Sequence, residues 1–271
     1  MCVPGCQETI RQALSRRGFF KGAAATFTAT AIGTEAAQAR TQRFSRAVDL
    51  THTMSPDFPT FFGVPGIEYQ KTFDFKKDGF NLYWWRLIEH AGTHLDAPIH
   101  FSEDGISADR IPADNLVVPL AVIDVAAKAA SNADYQLSRD DLAVWERRHG
   151  RLPANCCVAM LSGWGAYVAD AAKFTGKDAS GVFHFPGIGP EATEWLLKQR
   201  QVAGLAVDTI SLDHGPSKDF KTHLLWLPAG RWGLEGVANL DKVPASGATL
   251  VVGIAKVRGA TGGPARLIAL V

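Results

Sequence analysis

The chain has 271 residues, a length that allows one large domain or two small ones. With 46% hydrophobic and 20% charged residues, its composition is that of an ordinary globular protein. The formal net charge is +1 and no dense run of lysine and arginine occurs, which argues against nucleic-acid binding and favours a small-molecule partner.

The first forty residues differ from the rest of the chain. Residues 15–21, SRRGFFK, place an arginine pair before the apolar run GAAATFTATAIG, and AAQA then gives an Ala-x-Ala cleavage pattern that ends at residue 39. This order predicts a signal peptide over residues 1–39. The arginine pair indicates twin-arginine export and therefore a periplasmic location, with a plain Sec signal or a membrane-anchoring helix as alternatives. Because a membrane span needs about 20 apolar residues, we expect none in the mature protein.

Cleavage after residue 39 would change the charge and the cysteine content. It removes four basic and two acidic side chains, which brings the net charge to −1 and strengthens the case against nucleic acid. Cys2 and Cys6 leave with the signal, so Cys156 and Cys157 remain. Neighbouring residues of a strand point to opposite faces, and we therefore expect no disulfide between them.

Residues 40–271 show no internal repeat, low-complexity tract or obvious linker, and we predict one domain. The first predicted strands are rich in β-branched and aromatic residues, at 47–52, 66–75, 81–90 and 116–125. A helix is predicted at about 138–149, because Ser138 can cap its start and Gly150 follows its end.

The second half of the chain alternates strand and helix before it returns to strands. A strand at 156–161, a helix at about 190–200 that Pro190 can open, and a strand at 203–209 imply a parallel pair of strands. Residues 248–257 and 265–271 again have strand character. The predicted fold class is α/β with a mixed sheet.

Residues 90–101, HAGTHLDAPIHF, hold three of the eight histidines. His90 and His94 are four apart, as in helix-borne zinc motifs, but Gly92 and Pro98 disfavour a helix interior. A strand that runs into a turn suits the composition better. His94 and Asp96 then point the same way, and the bend at Gly92 can bring His90 round.

This cluster is typical of an open metal site. Three imidazole or carboxylate ligands suffice for a catalytic metal, and the absence of thiolates favours Zn²⁺ or Mn²⁺. His100, beyond the proline, is close enough to reach a water on the metal without having to bind the metal itself. Ordinary structural histidines are the alternative interpretation.

Two further candidate ligands lie in residues 223–240, HLLWLPAGRWGLEGVANL. We expect His223 on a strand-like run and Glu235 after a glycine-rich turn. Each alone is more often a surface or packed polar residue. As a pair, they could close the metal site from the other side of the sheet.

Aromatic residues flank these motifs. Phe61, Phe62, Trp85 and Trp226 are candidates to line a slot for a flat aromatic ring, with packed core aromatics as the alternative.

HAGTHLDAPIHF resembles the H-x-G-T-H-x-D-x-P-x-H-F signature of the cyclase superfamily, which includes bacterial kynurenine formamidases and isatin hydrolases. Further segments fall in the family's order, so the resemblance covers nearly all of the chain after residue 39: SGWG (162–165), VDTISLDHG (207–215), LEGVANL (234–240) and KVRGATGGPARLIAL (256–270). It implies a compact α/β domain of the swivelling β/β/α type, assembled as a homodimer or homotetramer.

The resemblance also implies roles for the candidate residues. His90, His94 and Asp96 bind a divalent metal, and His100 is the general base. His223 and Glu235 serve a second metal or, with one ion present, orient water and substrate, which gives Glu235 a part in both metal binding and catalysis.

The implied activity is hydrolysis of an amide C–N bond by metal-activated water, in an N-formylkynurenine-like aryl formamide or an isatin-like cyclic amide. Predicted export favours an environmental compound over an intermediate of tryptophan breakdown. A lactam, imide or lactone hydrolase, a non-catalytic periplasmic metal-binding protein and an iron oxygenase are the alternatives.

Overall fold

The computed structural model describes residues 44–271, and the predicted signal peptide lies outside the described residues. The described strands are β1 (Ala47–Asp49), β2 (Ile67–Phe73), β3 (Leu82–Leu87), β4 (His94–Asp96), β5 (Val117–Asp124), β6 (Gln136–Leu137), β7 (Cys156–Leu161), β8 (Gly187–Ile188), β9 (Val202–Val207), β10 (Trp232–Glu235), β11 (Ala248–Ile254) and β12 (Gly262–Leu270). The described α-helices are α1 (Phe75–Asp78), α2 (Ala126–Ser131), α3 (Arg139–His149), α4 (Ala171–Thr175), α5 (Pro190–Gln199) and α6 (Lys221–Trp226).

Seven strands close into a barrel. The sheet runs in the order β1-β12-β11-β5-β7-β9-β10-β4, and β4 also pairs with β12, so that only β1 stays outside the closed ring. Strands β5, β7, β9 and β10 are parallel, whereas β11, β12 and β4 join the ring by antiparallel pairings. The mixed α/β domain is thus confirmed, and the parallel pair predicted at β7 and β9 is present. The swivelling β/β/α arrangement stays a prediction.

Alternate residues of the barrel strands face two hydrophobic cores. In β7, Cys157 and Ala159 pack in the core that also holds Leu95 and Leu234, whereas Cys156 and Val158 pack in a core shared with the helices α3, α5 and α6. Both cysteines are buried and free, as expected. Helices therefore cover one side of the parallel strands, and the barrel interior is filled with side chains.

The predicted helix ends have the expected chemistry. The Ser138 side chain accepts from the Asp141 amide, the Asp141 carboxylate accepts from the Ser138 amide, and Gly150 follows the last turn of α3. Pro190 stands in the first turn of α5. These signals are local, so the sequence alone could place both helices to within about one residue.

The hairpin of β2 and β3 lies outside the barrel sheet. Its two strands pair only with each other, and all their side chains except that of Ile67 are exposed. Trp84 and Trp85 are 71% and 66% exposed. This is an unusual setting for tryptophan.

None of the helices within residues 44–271 is long and apolar enough to cross a membrane.

Candidate metal centre

Strands β4 and β10 bring three predicted ligands together. In their antiparallel register, His94 lies opposite Glu235 and Asp96 lies opposite Gly233. His94 and Asp96 are two residues apart, so their side chains share one face of β4, while Leu95 between them enters the core. The strand predicted through this part of the motif is thus present, although it is only three residues long.

The three side chains form a buried group of possible metal ligands. His94 Nε2 lies 3.4 Å from Asp96 Oδ1 and 3.3 Å from Glu235 Oε2. One ligand atom from each residue lies within 4.8 Å of the other two. A second such group, His90, Asp96 and His100, shares the same aspartate.

His90 reaches the cluster because the chain bends before β4. Gly92 adopts a φ of 71°, a left-handed conformation that glycine accepts without a steric penalty. His90 Nδ1 then lies 2.6 Å from Asp96 Oδ1, and its Nε2 lies 2.9 Å from the Thr261 hydroxyl. This bend is the one that the sequence predicted.

His100 stacks on His90. It lies in a short 3₁₀ helix, Pro98–Phe101, and the two imidazole centroids are 3.6 Å apart. Burial lowers the pKa of His100 to about 4, so its ring is neutral near pH 7. A neutral imidazole can accept a proton or bind a metal, and the position of His100 allows both.

The structure corrects the setting of His223, which lies on helix α6 and not on a strand. Burial along KTHLLW follows a helical spacing, with Thr222, His223 and Trp226 buried and Leu224 exposed. The carboxylate of Asp213 accepts hydrogen bonds from the backbone N–H groups of Thr222 and His223. This capping from outside the helix is a contact that the local pattern does not reveal.

Asp213 also orients the His223 ring. Its Oδ2 lies 2.6 Å from His223 Nδ1, which directs Nε2 towards Glu235 Oε1 at 3.0 Å and Asp96 Oδ2 at 3.6 Å. A carboxylate behind a histidine fixes the tautomer in many metal sites. Glu235 is itself held by the Leu212 amide, which donates to its Oε1.

The buried carboxylates give the site a negative field. Burial by itself lowers the pKa of His94, but the neighbouring carboxylates of Asp96 and Glu235 outweigh it and raise this pKa to about 10. The carboxylates of Asp213, Asp96 and Glu235 likewise outweigh burial and raise the pKa of His223 well above its usual value. These raised pKa values mean that the site stabilises positive charge on its histidines. The same negative field favours binding of a metal cation.

Two buried polar atoms without a partner in the described chain indicate that a metal ion fits the site. His94 Nε2 and Asp96 Oδ2 have no hydrogen-bond partner among the described residues. A buried polar atom left in this state costs about 1–3 kcal/mol. Both atoms point into the ligand group, and one divalent ion could bind both. Imidazole nitrogen and carboxylate oxygen are donors that suit Zn²⁺ and Mn²⁺.

An apolar pocket of about 220 Å³ opens onto these residues. Its aromatic wall includes Phe61 and Phe62, two of the candidates named from the sequence, together with Phe101 and Phe220. The polar part of the lining consists of His90, His100, Ser211, His223 and Glu235.

The structure does not bring the two predicted tryptophans to this pocket. Trp226 is fully buried in the core, where its indole N–H donates to the Trp232 carbonyl at 2.9 Å. Trp85 lies on the exposed hairpin strand β3. Trp226 is a core residue because α6 turns its side chain inward, an orientation that differs from the strand expected at this point.

Asp213 is the main site residue that the sequence analysis missed. It lies within VDTISLDHG, a segment that resembles the family but shows no pattern of its own that marks a site residue. Its ten-residue separation from His223 corresponds to no helix or strand period, so the hydrogen bond could not be inferred from spacing.

Fold and site together define a mixed α/β barrel protein with a candidate metal centre at β4 and β10. The Cyclase family model, described as "Putative cyclase", matches residues 48–214. An isatin hydrolase from Roseibium aggregatum is 35% identical over 80% of this chain and 85% of its own. The chain belongs to the Cyclase family.

Two further relatives agree with this assignment. A kynurenine formamidase from Salinibacter ruber is 27% identical over 82% of this chain and 95% of its own. The solved structure of isatin hydrolase A from Ralstonia solanacearum is 38% identical, with a TM-score of 0.79 over 83% of this chain and 92% of its own. These relatives are hydrolases, which supports a metal-dependent hydrolase here.

Proposed function

We propose that this protein is a metal-dependent hydrolase that cleaves the amide C–N bond of an aryl formamide or of an isatin-like cyclic amide. The observation that carries the proposal is the pair of unpartnered buried atoms, His94 Nε2 and Asp96 Oδ2, beside an aromatic-walled pocket. The likeness to an isatin hydrolase at 35% identity supports the same class of substrate.

The proposed ligands, His90, His94 and Asp96, are those that the family resemblance implies. The structure groups His94 with Asp96 and Glu235, and His90 with Asp96 and His100, so Asp96 is common to both groups. His223 Nε2 lies 3.0 Å from Glu235 Oε1 and would complete the set of donors around the ion. A bound Zn²⁺ or Mn²⁺ would supply a Lewis acid that polarises the amide carbonyl and acidifies water. The number of ions, one or two, depends on whether His223 and Glu235 bind a second one.

His100 is the proposed general base. It lines the pocket, and its neutral ring nitrogen can take a proton from the attacking water. The same nitrogen then returns the proton to the amide nitrogen as the C–N bond breaks. Glu235, held by the Leu212 amide, would accept a hydrogen bond from the water and orient it towards the face of the amide carbonyl.

The aromatic wall orients the substrate. Phe61, Phe62, Phe101 and Phe220 surround a space of about 220 Å³, which suits a small flat ring system. They also exclude bulk water from the polar lining, and a dry surrounding strengthens electrostatic interactions at the reacting amide.

A substrate panel tests the proposal. The mature protein is loaded with Zn²⁺ or Mn²⁺ and assayed with isatin, N-formylkynurenine, a simple lactam, an imide and a lactone. We expect turnover of isatin or N-formylkynurenine that chelation abolishes and metal restores. Turnover confined to the lactam, imide or lactone would support the other hydrolase activities, and oxygen consumption would indicate the iron oxygenase.

We also propose that the protein is exported and that it self-associates. The signal-like residues 1–39 support export to the periplasm, and replacement of Arg16 and Arg17 by lysine should retain the protein in the cytoplasm on fractionation. The exposed aromatic hairpin of β2 and β3 supports assembly as a homodimer or homotetramer.

A further inference from the structure

A second cavity lies next to the metal pocket, and Phe61 lines both. This cavity, here called the side cleft, has a volume of about 410 Å³. One wall is the loop 56–65 and the other includes Ala172 and Phe183. Sites for drug-sized ligands usually measure about 300–1,000 Å³. The metal pocket is below this range at about 220 Å³, whereas the side cleft lies within it.

The ring of Phe61 is held in place where the two cavities meet. It stacks on Phe183 with 4.8 Å between centroids and an angle of 26°, and it meets Phe62 edge-on at 5.9 Å. A tight turn fixes the backbone beside it, because the Thr60 hydroxyl donates to the Val64 carbonyl at 2.6 Å. The two cavities meet at this ring, and its loss would widen the junction between them.

The lining of the side cleft is mainly apolar. It includes three prolines, at positions 56, 59 and 65, together with Phe58, Val64 and Ala172. The charged side chains that line it, Asp57 and Lys177, belong to exposed residues, and the Lys177 ammonium lies 5.1 Å from the Phe183 ring centroid. One acidic and one basic group give no net preference for an ion. Such a surface suits an uncharged ring.

We propose that the side cleft is a second substrate subsite that takes an apolar, ring-sized substituent on the aryl group of the substrate. Phe61 is then the specificity-determining residue between the two chambers. The inference rests on the proposed function for the position of the reacting amide, which lies at the metal centre. It widens the substrate class from single ring systems to aryl amides that carry a second ring.

Binding of product-like acids tests the subsite without any need for turnover. Amide hydrolysis releases a carboxylic acid or, from a formanilide, an arylamine and formate, so benzoate is a simple product-like probe. The metal-loaded protein is titrated calorimetrically with benzoate and with the 2-, 3- and 4-phenylbenzoates. Burial of the second ring should make at least one isomer bind about tenfold more tightly than benzoate.

Matched variants show whether the gain in affinity comes from the side cleft. Ala172→Trp places a large side chain of the exposed helix α4 in the side cleft. It should reduce the preference, defined as the affinity for the tightest phenylbenzoate divided by that for benzoate, to about one. Lys173→Trp adds the same bulk to the next residue of that helix, which does not line the cleft, and should keep the preference. Phe61→Ala should increase the preference, whereas Phe62→Ala, at a residue that lines the metal pocket but not the side cleft, should not.

Two results would overturn the subsite. One is equal binding of benzoate and every phenylbenzoate isomer, and the other is a preference that survives Ala172→Trp. Failure of the hydrolase proposal would look different, since isatin and N-formylkynurenine would then remain intact whatever the binding preference.

Discussion

Asp96 is the residue on which the candidate metal centre depends. Its carboxylate lies 2.6 Å from His90, 3.4 Å from His94 and 3.6 Å from His223, measured between the nearest recorded side-chain atoms. It belongs to both groups of possible ligands. Burial by itself raises the pKa of Asp96, but the neighbouring imidazoles of His223, His90 and His94 hold that pKa well below the usual value, so the carboxylate is ionised.

Substitution should therefore separate the proposed ligand from the proposed base. Asp96→Ala should lose the metal, because it removes the carboxylate that lies beside both His90 and His94. His100→Ala should keep the metal and lose about 10²–10⁴-fold in kcat, the usual contribution of general base catalysis. Metal analysis and steady-state kinetics of each purified variant provide the readouts.

His149, an exposed histidine at the end of α3, offers a matched control, and His149→Ala should retain both metal and turnover. Loss of metal from His100→Ala would make His100 a ligand. Near-normal kcat in that variant would exclude it as the base.

Asp213 is predicted to act through His223. Asp213→Asn retains the shape and an oxygen acceptor but removes the charge behind the ring. We expect a loss of about 10–100-fold in metal affinity or activity, as is typical of such supporting carboxylates. Competition titration with a chromophoric chelator measures the affinity. Asp219→Asn, in an exposed residue hydrogen-bonded to Ser217, is the control, and equal affinity of the two variants would refute a positioning role for Asp213.

Local patterns predicted which side chains come together at β4 more reliably than they predicted the surroundings of that group. His90, His94 and Asp96 are close in sequence, so one short motif and one glycine bend define their approach. Asp213 and the Phe220 wall were not predicted, because their contacts depend on how distant segments of the chain pack. The same reason explains why Trp226 was assigned to the pocket although it is buried in the core.

Among the strands, β4 is one of the shortest, yet it closes the barrel. Its three residues pair with β10 on one side and with β12 on the other, and these two pairings close the barrel. Strands such as β5 and β7 could be predicted from composition, but barrel closure could not. Closure depends on partners more than 130 residues away in sequence, and no periodicity of HLD encodes them.

The hairpin of β2 and β3 is the element predicted to mediate self-association. Neighbouring strand residues point to opposite faces, so each face of the hairpin carries one exposed tryptophan, Trp84 or Trp85. The double substitution Trp84→Ser with Trp85→Ser should shift the mass measured by light scattering from that of an oligomer to that of a monomer.

Val257→Ser removes an apolar side chain of similar exposure elsewhere on the surface and should leave the oligomer intact. A wild-type protein that is monomeric at all concentrations tested would rule out this role for the hairpin.

At the scale of the whole molecule, the metal should contribute to stability. Strands β4 and β10 are part of the barrel, so an ion held by their side chains binds the folded protein and not the unfolded chain. Saturation with metal at about 100 times Kd adds about 2.7 kcal/mol. For a domain of this size, this corresponds to a rise of about 5–10 °C in Tm.

Differential scanning calorimetry of the chelated and metal-loaded protein measures this rise. The Asp96→Ala variant should show no such response to metal. A wild-type Tm that is the same with and without Zn²⁺ or Mn²⁺ would contradict the predicted coupling between the site and the barrel.

The proposed activity is hydrolysis of an aryl or cyclic amide at one metal centre built on His94 and Asp96. Its most direct test is to titrate metal-free protein with Mn²⁺ or Zn²⁺ while measuring bound metal and the rate of isatin or N-formylkynurenine hydrolysis in the same samples. We predict a rate that rises in proportion to bound metal and reaches a plateau when the site is full, with neither signal in Asp96→Ala. Hydrolysis at full rate by the metal-free protein, or metal bound stoichiometrically by Asp96→Ala, would contradict the account.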